Sequence, residues 1–428
     1  DWKDLYSIAK KYYEALLADP GNAQFHLTDP RGASDKSGRT FNNPYQYFFE
    51  QMHMDDAIYA DESIYEYPMQ QGGGNDGRPY SFGRPSSGGS KAAYPCKSYG
   101  QGRINPAYFY GVFDPNDMRR DVSITMTGSN GKGVEKLIPF VPNSKAEGGG
   151  LTLNKWDENR QANPWVAAQR KSGINGPYMR MSEVYLGYAE VCAALGDVVT
   201  GKQYLKTVRE RSFPQGLANT DAFIASFGND LVRAIIEERG FEYAGEGDRR
   251  WTLIRSGYLP EDIKRIKDMT KAMMDGLATK GYYEFENGNI ISAYIWTKLV
   301  DAKTIYGHRL TAQCPTDKVN DPVLYPGWRG QKDNWEEMGL NYGSSTPATN
   351  LAIKGLFEIV SEEEAASLES QGYTKVNWGI DLVDNRDEYD KYLFWDYDYV
   401  SAPIYLWPFT PNVMAAGGFT NGYGFKQE

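Results

Sequence analysis

The chain has 428 residues, a formal net charge of −10 and 41% hydrophobic residues, enough for one large helical domain with an irregular second part. The acidic balance excludes the basic face that a phosphate-reading nucleic-acid binder needs. No stretch reaches the roughly 18 consecutive apolar residues of a membrane-spanning helix, and Cys96, Cys192 and Cys314 are too few and too spread for a disulfide framework or a zinc site.

Residues 1–18 carry Trp2, Leu5, Ile8, Ala9, Tyr12, Tyr13 and Leu16 at helical spacing, and the Asp-Pro-Gly at 19–21 stops the run. The chain shows no signal peptide and opens directly in this helical pattern, so processing or truncation upstream of Asp1 is expected. A second helical stretch covers about 44–54 around Tyr45, Phe48, Phe49 and Met52, and 63–69 alternates as a short strand. Residues 70–106 hold many Gly and Pro with Tyr80, Phe82, Tyr94 and Tyr99, and keep neither helical nor strand period. Loops of this length are often functional or disordered, and the aromatics argue against plain disorder. Residues 107–170 mix short strand and turn signals.

The strongest helical block is 178–212. One helix carries Val184, Tyr185, Tyr188, Ala189 and Cys192, and Gly196 is placed to take its left-handed cap. A second carries Tyr204, Leu205 and Val208. Two helices in about 34 residues, with small residues Gly187, Ala189 and Ala193 for close approach, match a tetratricopeptide unit, which needs stacked neighbours to bury its apolar face. Helical pattern continues over 220–256 and 260–276. Residues 277–350 are rich in aromatics, Gly and Pro, and include Trp328 and Trp335. A helix follows at about 361–372, and 373–428 alternates short apolar runs with turns.

Catalytic signatures are weak. His26, His53 and His308 form no metal-binding spacing. There is no Gly-x-Ser-x-Gly elbow, and Gly128 to Gly133 reads as a turn rather than a phosphate loop. Asp396 and Asp398 could mimic a glycosidase pair, and Asp114, Asn116 and Asp117 could hold calcium, although no EF-hand loop is present. Neither reading outweighs chance in a chain with 56 acidic residues, so no catalytic residue, metal or cofactor is assigned.

The aromatic content points to binding. Tyr, Phe and Trp make 14% of the chain; most of these rings serve the core, but flat rings also stack on the apolar faces of sugars. The candidate ligand residues are Arg78, Tyr80, Phe82, Tyr94 and Tyr99 in the first loop region, with Trp328, Asn334 and Trp335 in the second. The competing reading is that these rings pin long loops to the helical frame.

Two segments together are distinctive: Arg180 to Glu190 with Leu195, Gly196 and Asp197, and Glu238, Arg239 and Glu242 followed by Glu246 to Arg255. Weaker signals are Asp117, Arg119 and Arg120, Lys155 and Trp156, and the closing Ala402 to Tyr423. The charges read as a clasp between helices, since charges beside aromatics are buried only when paired. In order and spacing these segments resemble the SusD/RagB family of outer-membrane nutrient-binding lipoproteins.

The resemblance implies a mostly α fold: a tetratricopeptide-type helix-pair superhelix with a loop-rich, irregular second subdomain of short strands. The helical scaffold would occupy about 1–69, 178–276 and 361–372, the ligand-binding loops about 70–177 and 277–360, and the closing segment 373–428. It further implies a non-enzymatic protein on the cell-surface face of the outer membrane. Such a protein binds an oligosaccharide or polysaccharide and delivers it to a SusC-like TonB-dependent transporter. The membrane would be met only through a lipid anchor; the family's anchoring cysteine and its first helices are absent from this sequence. A peptide-binding homologue is the alternative within the family, and a glycoside hydrolase the alternative outside it.

Overall fold

A computed structural model of the chain describes residues 1–20, 25–29, 31, 43–51, 62–70, 72, 78–86, 98–129, 135–140, 150–156, 172–301, 349–387, 405, 409–418 and 420. Helix α1 (Trp2–Ala18) is capped by the Asp1 carboxylate, which accepts from the Lys3 amide at 3.2 Å. It ends at Asp19, held extended as residues before proline prefer. Helix α2 (Pro44–Gln51) buries Tyr45, Phe48 and Phe49, and strand β1 (Ser63–Tyr67) follows. The 70–106 region, read from sequence as aperiodic, contains the short helix α3 (Arg78–Phe82) and a Ser86–Ser98 bridge. A π-helical turn (Tyr108–Val112) precedes α4 (Met118–Ser123) and the short strands β2 (Ile124–Thr125), β3 (Thr127–Ser129), β4 (Glu135–Leu137) and β5 (Thr152–Leu153).

Strand β6 (Gly176–Arg180) pairs antiparallel with β1, so the helical block begins later than its sequence pattern suggests, at α5 (Met181–Ala194). Gly196 takes φ +92° between α5 and α6 (Val198–Ser212), and Asp197 caps α6 by accepting from the Thr200 amide at 3.1 Å. The two helices pack closely: a Cβ on Gly201 would stand 2.9 Å from the Ala189 carbonyl oxygen and 3.2 Å from the Ala193 Cβ. The 220–256 stretch divides into α7 (Thr220–Ala225), α8 (Leu231–Glu242) and α9 (Asp248–Ser256), and α10 (Leu259–Lys280) follows. Leu186 and Ala189 of α5, Leu205 and Val208 of α6, and Ala234 and Ile235 of α8 form one core.

On the far side of α5, its Tyr188, Val191 and Cys192 meet Tyr6, Ala9, Tyr13 and Leu17 of α1. The apolar set read from sequence thus mixes two faces of α1, for Trp2, Leu5, Ile8 and Tyr12 are exposed.

The region beyond α10 is built of short strands: β7 (Tyr282–Glu284), β8 (Ile290–Ser292), β9 (Tyr294–Asp301), β10 (Thr349–Lys354), helix α11 (Glu362–Ser370), β11 (Thr374–Asn377) and helices α12 (Gly379–Asp384) and α13 (Pro411–Gly417). Strand β9 is central in an antiparallel sheet between β10 and β11. A second core joins this part to the π turn: Phe109, Tyr110, Met273, Leu277, Ile295 and Trp378 are buried together, and the Trp378 indole donates to the Tyr110 hydroxyl at 2.9 Å. The architecture is mostly α, with stacked helix pairs and a loop-rich second part. Among the described residues, no helix is long and apolar enough to cross a membrane.

Candidate functional site

A buried charge cluster underlies the site. Arg180, at the end of β6, donates to Glu62 and Glu242, both at 2.8 Å, and to Glu246 at 2.9 and 3.0 Å. Arg211 of α6 donates to Glu62 and, at 2.9 Å, to Glu242. Arg119 of α4 reaches Asp117 at 2.6 Å, Glu238 at 2.7 Å and Glu242 at 3.3 Å, and Arg209 reaches Glu238 at 2.5 Å. Lys155 closes the set on Glu246 at 2.5 Å. Five cations thus alternate with five carboxylates, and charges removed from water persist only when paired this completely.

Burial pushes the Glu242 carboxyl up, but Arg211, Arg180 and Arg119 outweigh it and hold the group well below the usual carboxylate range. Burial also lowers the Lys155 ammonium, partly offset by Glu246. A neighbouring clasp joins Arg239 of α8 to Glu183 at 2.7 Å and Asp248 at 2.6 Å, and Arg255 of α9 to Glu190 of α5 at 2.5 Å. These are the charges that the sequence marks as a clasp between helices.

Over this cluster lies a cleft of about 600 Å³, within the range of small-molecule sites. Its walls are Ile104, Leu153, Trp156 and Tyr243, with Phe82 at the end of α3 and the charged Arg103, Glu246 and Arg249. Segments 102–104 and 151–153 zip together: the Leu153 amide donates to the Gly102 carbonyl at 3.0 Å, and the Ile104 amide to the Leu151 carbonyl at 2.9 Å. The opposite wall is the α8–α9 connection. There Gly245 adopts φ +81°, and an added Cβ would come 2.4 Å from the Leu153 Cδ2. Only glycine lets this turn lie against Leu153.

Two of the cleft charges are committed. Both Glu246 oxygens accept from Arg180, and Oε1 also from Lys155. Arg249 donates to Glu237 at 2.8 Å and to Asp262 at 3.0 Å. Phe82 is the opposite case, 48% exposed with its ring available at the mouth. The cleft therefore offers apolar walls and an accessible ring within a charge frame that holds them in place.

Of the residues expected to contact ligand, Phe82 lines this cleft. Tyr80 does not present its ring to solvent: it is 6% exposed and packs edge to face on the half-buried Tyr99, with centroids 5.0 Å apart. The helical turn of α3 is the reason, since residues two apart face opposite sides of a helix. Arg78 opens α3, but its side chain lies outside the described residues, as do Tyr94, Trp328, Asn334 and Trp335, and the acidic pair Asp396 and Asp398.

At the calcium candidate, Asp114 accepts from the Asn116 amide at 2.8 Å, while Asp117 caps α4 and is buried in its pair with Arg119. Among the described residues no group of three His, Cys, Asp or Glu is placed to hold a metal. Sequence reasoning missed Ile104, Leu153 and Tyr243 of the cleft and Glu62, Arg209 and Arg211 of the cluster. Nothing local marks them: Arg209 and Arg211 stand in the charged run 206–211, and Glu62 follows Asp61.

The chain is 28% identical over 160 residues to SusD-like protein P25 of Formosa agariphila, covering 37% of this chain and 26% of that one. Surface glycan-binding protein A from Bacteroides thetaiotaomicron matches at 19% identity with a TM-score of 0.40, over 60% of this chain and 51% of that one. The same protein in complex with laminarihexaose matches at 18% identity and TM-score 0.40, over 60% and 52%. A SusD homolog from that organism matches at 16% identity and TM-score 0.40, over 56% and 49%. The chain thus spans about a quarter of the curated relative's length and about half the length of these solved chains. The SusD family pattern matches residues 24–408, which take in both walls of the cleft and the whole charge cluster, and the chain belongs to the SusD family.

Proposed function

We infer that the protein is a non-enzymatic glycan-binding subunit that captures an oligosaccharide at the cell surface and passes it to a TonB-dependent transporter of the outer membrane. In this reading the helices of about 1–69, 178–276 and 361–372 are a rigid frame for ligand-binding loops. The observation that carries it is the cleft: apolar walls, an exposed ring at Phe82, and a carboxylate whose two oxygens already accept from Arg180 and Lys155. Sugars bind such places by laying C–H faces on rings and hydrogen-bonding their hydroxyls at the rim. A glycosidase acid must instead exchange a proton with its substrate, whereas Glu246 is occupied as a structural acceptor. Family membership supports the binding role, and a lipid anchor upstream of Asp1 would place it at the membrane surface.

Retardation in native gels cast with a panel of polysaccharides tests the reading. The wild type is expected to be retarded by at least one glycan without release of reducing sugar. Phe82→Ala is expected to weaken that retardation about tenfold, since a ring contact is worth about 1–1.5 kcal/mol. Unchanged retardation of this variant would remove Phe82 from the site, and released reducing sugar would make the protein a hydrolase.

A further inference from the structure

The ribbon formed by β1 and β6 holds an isolated acid on its buried side. Glu66 of β1 is 5% exposed, between the exposed Tyr65 and Tyr67. Every other buried carboxylate among the described residues, Glu62, Asp117 and Glu190 as much as Glu237, Glu238, Glu242 and Asp262, pairs with an arginine. Glu66 has an amide and a hydroxyl instead. Its Oε2 accepts from the Asn175 side chain at 2.9 Å. Its Oε1 and the nearby Ser63 hydroxyl are both buried, and neither closes a hydrogen bond of good geometry.

The charges around Glu66 are engaged elsewhere. Strand β1 carries no other, and Arg180 of β6 goes to Glu62, Glu242 and Glu246. Glu62, just ahead of β1, also takes Arg211, and Glu183 of the following α5 takes Arg239. A carboxylate removed from water with no cation beside it is costly, and the neutral acid avoids that cost. The neutral form also suits these contacts: its O–H can donate to the Ser63 hydroxyl while the other oxygen still accepts from Asn175. Burial accordingly pushes the Glu66 carboxyl up, and Ser63 and Asn175 offset this only in part.

The two ends of the ribbon are held differently. The inner end is clamped by the Glu62–Arg180 ion pair and by the Met181 amide, which donates to the Glu62 carbonyl at 2.8 Å. The outer end rests on Asn175, which donates to Glu66 and accepts from the Met69 amide at 2.8 Å. A two-stranded ribbon has little stability of its own. Charging Glu66 is therefore relieved most cheaply by parting the strands at the outer end and hydrating the carboxylate.

We propose that the outer end of the β1–β6 ribbon is a proton-operated clamp, closed on neutral Glu66 and parting when Glu66 releases its proton to water, while the inner end stays shut. Acid fixes the strand that carries Tyr65 and Tyr67, and rising pH loosens it. The closed-state pKa lies above the ordinary 4.5, so the stabilisation is complete below that value and lost as pH rises through the folded pKa, the reverse of Glu242. Between the two values the opening constant rises about tenfold per pH unit, and then it levels.

Hydrogen exchange read by mass spectrometry on peptides covering 62–69 and 175–181, from pH 4.5 upward and corrected for the intrinsic rate, tests the clamp. In the wild type, exchange at the outer end should speed up by about tenfold per pH unit before levelling, while the Met181 amide stays protected. Glu66→Gln keeps the shape and cannot ionise, so its exchange should stay slow and flat with pH. The same variant should melt above wild type at neutral pH and converge with it at 4.5. Outer-end exchange that is independent of pH in the wild type, or that keeps its pH slope in Glu66→Gln, overturns the clamp. So does a Met181 amide that opens together with the outer end, because the event is then not local. A Glu66→Gln variant that opens more readily than wild type at every pH makes Glu66 an ionised structural acceptor, which overturns it equally.

Discussion

Replacing Glu242 with Gln takes one negative charge from the centre of the buried cluster and keeps the shape of the side chain. In the native protein Oε1 accepts from Arg180 at 2.8 Å and Arg211 at 2.9 Å, and Oε2 from the Tyr45 hydroxyl at 2.5 Å and Arg119 at 3.3 Å. The residue is 0% exposed, so no water can substitute. Gln supplies one acceptor oxygen and sets an amide N–H₂ against the other pair of donors. The pair of donors facing the amide loses its acceptor at this residue, and three guanidiniums share one carboxylate fewer. Removing one partner of a buried ion pair costs about 3–5 kcal/mol, a fall in Tm of about 3–6 °C for a chain of 428 residues.

The matched control is Glu210→Gln, whose Lys206 partner lies 3.5 Å away with both side chains about half exposed. Surface pairs of that kind contribute about 0–1 kcal/mol. Thermal melts of both variants by circular dichroism at neutral pH make the comparison. If Glu242→Gln melts together with Glu210→Gln, the cluster does not hold the helices together and the clasp reading is wrong.

The same residue sets a pH dependence. Its folded pKa lies below the ordinary glutamate value of 4.5, because the surrounding arginines outweigh the effect of burial. Its contribution is therefore complete above that value and lost as pH falls below it toward the folded pKa. Wild-type Tm measured from pH 7 downward should drop steeply below about 4.5, and Glu242→Gln more gently; parallel curves would show that Glu242 does not drive the acid transition. Gly245→Ala should cost about 1–3 kcal/mol and weaken glycan binding, since it strains a φ of +81° and drives a methyl to 2.4 Å from Leu153. Gly247→Ala, at φ +97° with no atom within 4 Å, should lose only the smaller backbone cost of about 1 kcal/mol. Equal melting temperatures for these two would remove Leu153 from the explanation.

The helix pair of α5 and α6 was legible in the sequence because its determinants are local. Apolar spacing, small residues at close approach, Gly196 at the cap and Asp197 at the next helix start all act within a few residues of each other. The family resemblance was legible for a related reason: the charged residues of α5, α8 and α9 must be paired once buried, so they stand out against apolar neighbours.

Tertiary structure alone decided the partners and the faces. Arg211 and Glu62 are 149 positions apart, and nothing local to either identifies the other. Helix α1 carries apolar residues on two stripes, and only packing on α5 selects Tyr6, Ala9, Tyr13 and Leu17 as the buried one. Tyr80 and Phe82 look alike as loop aromatics, yet the turn of α3 sends one inward and the other to the cleft. Local propensity fixes which elements form. Which of their faces meet depends on burying the most apolar surface while pairing every charge, and that balance exists only for the folded chain.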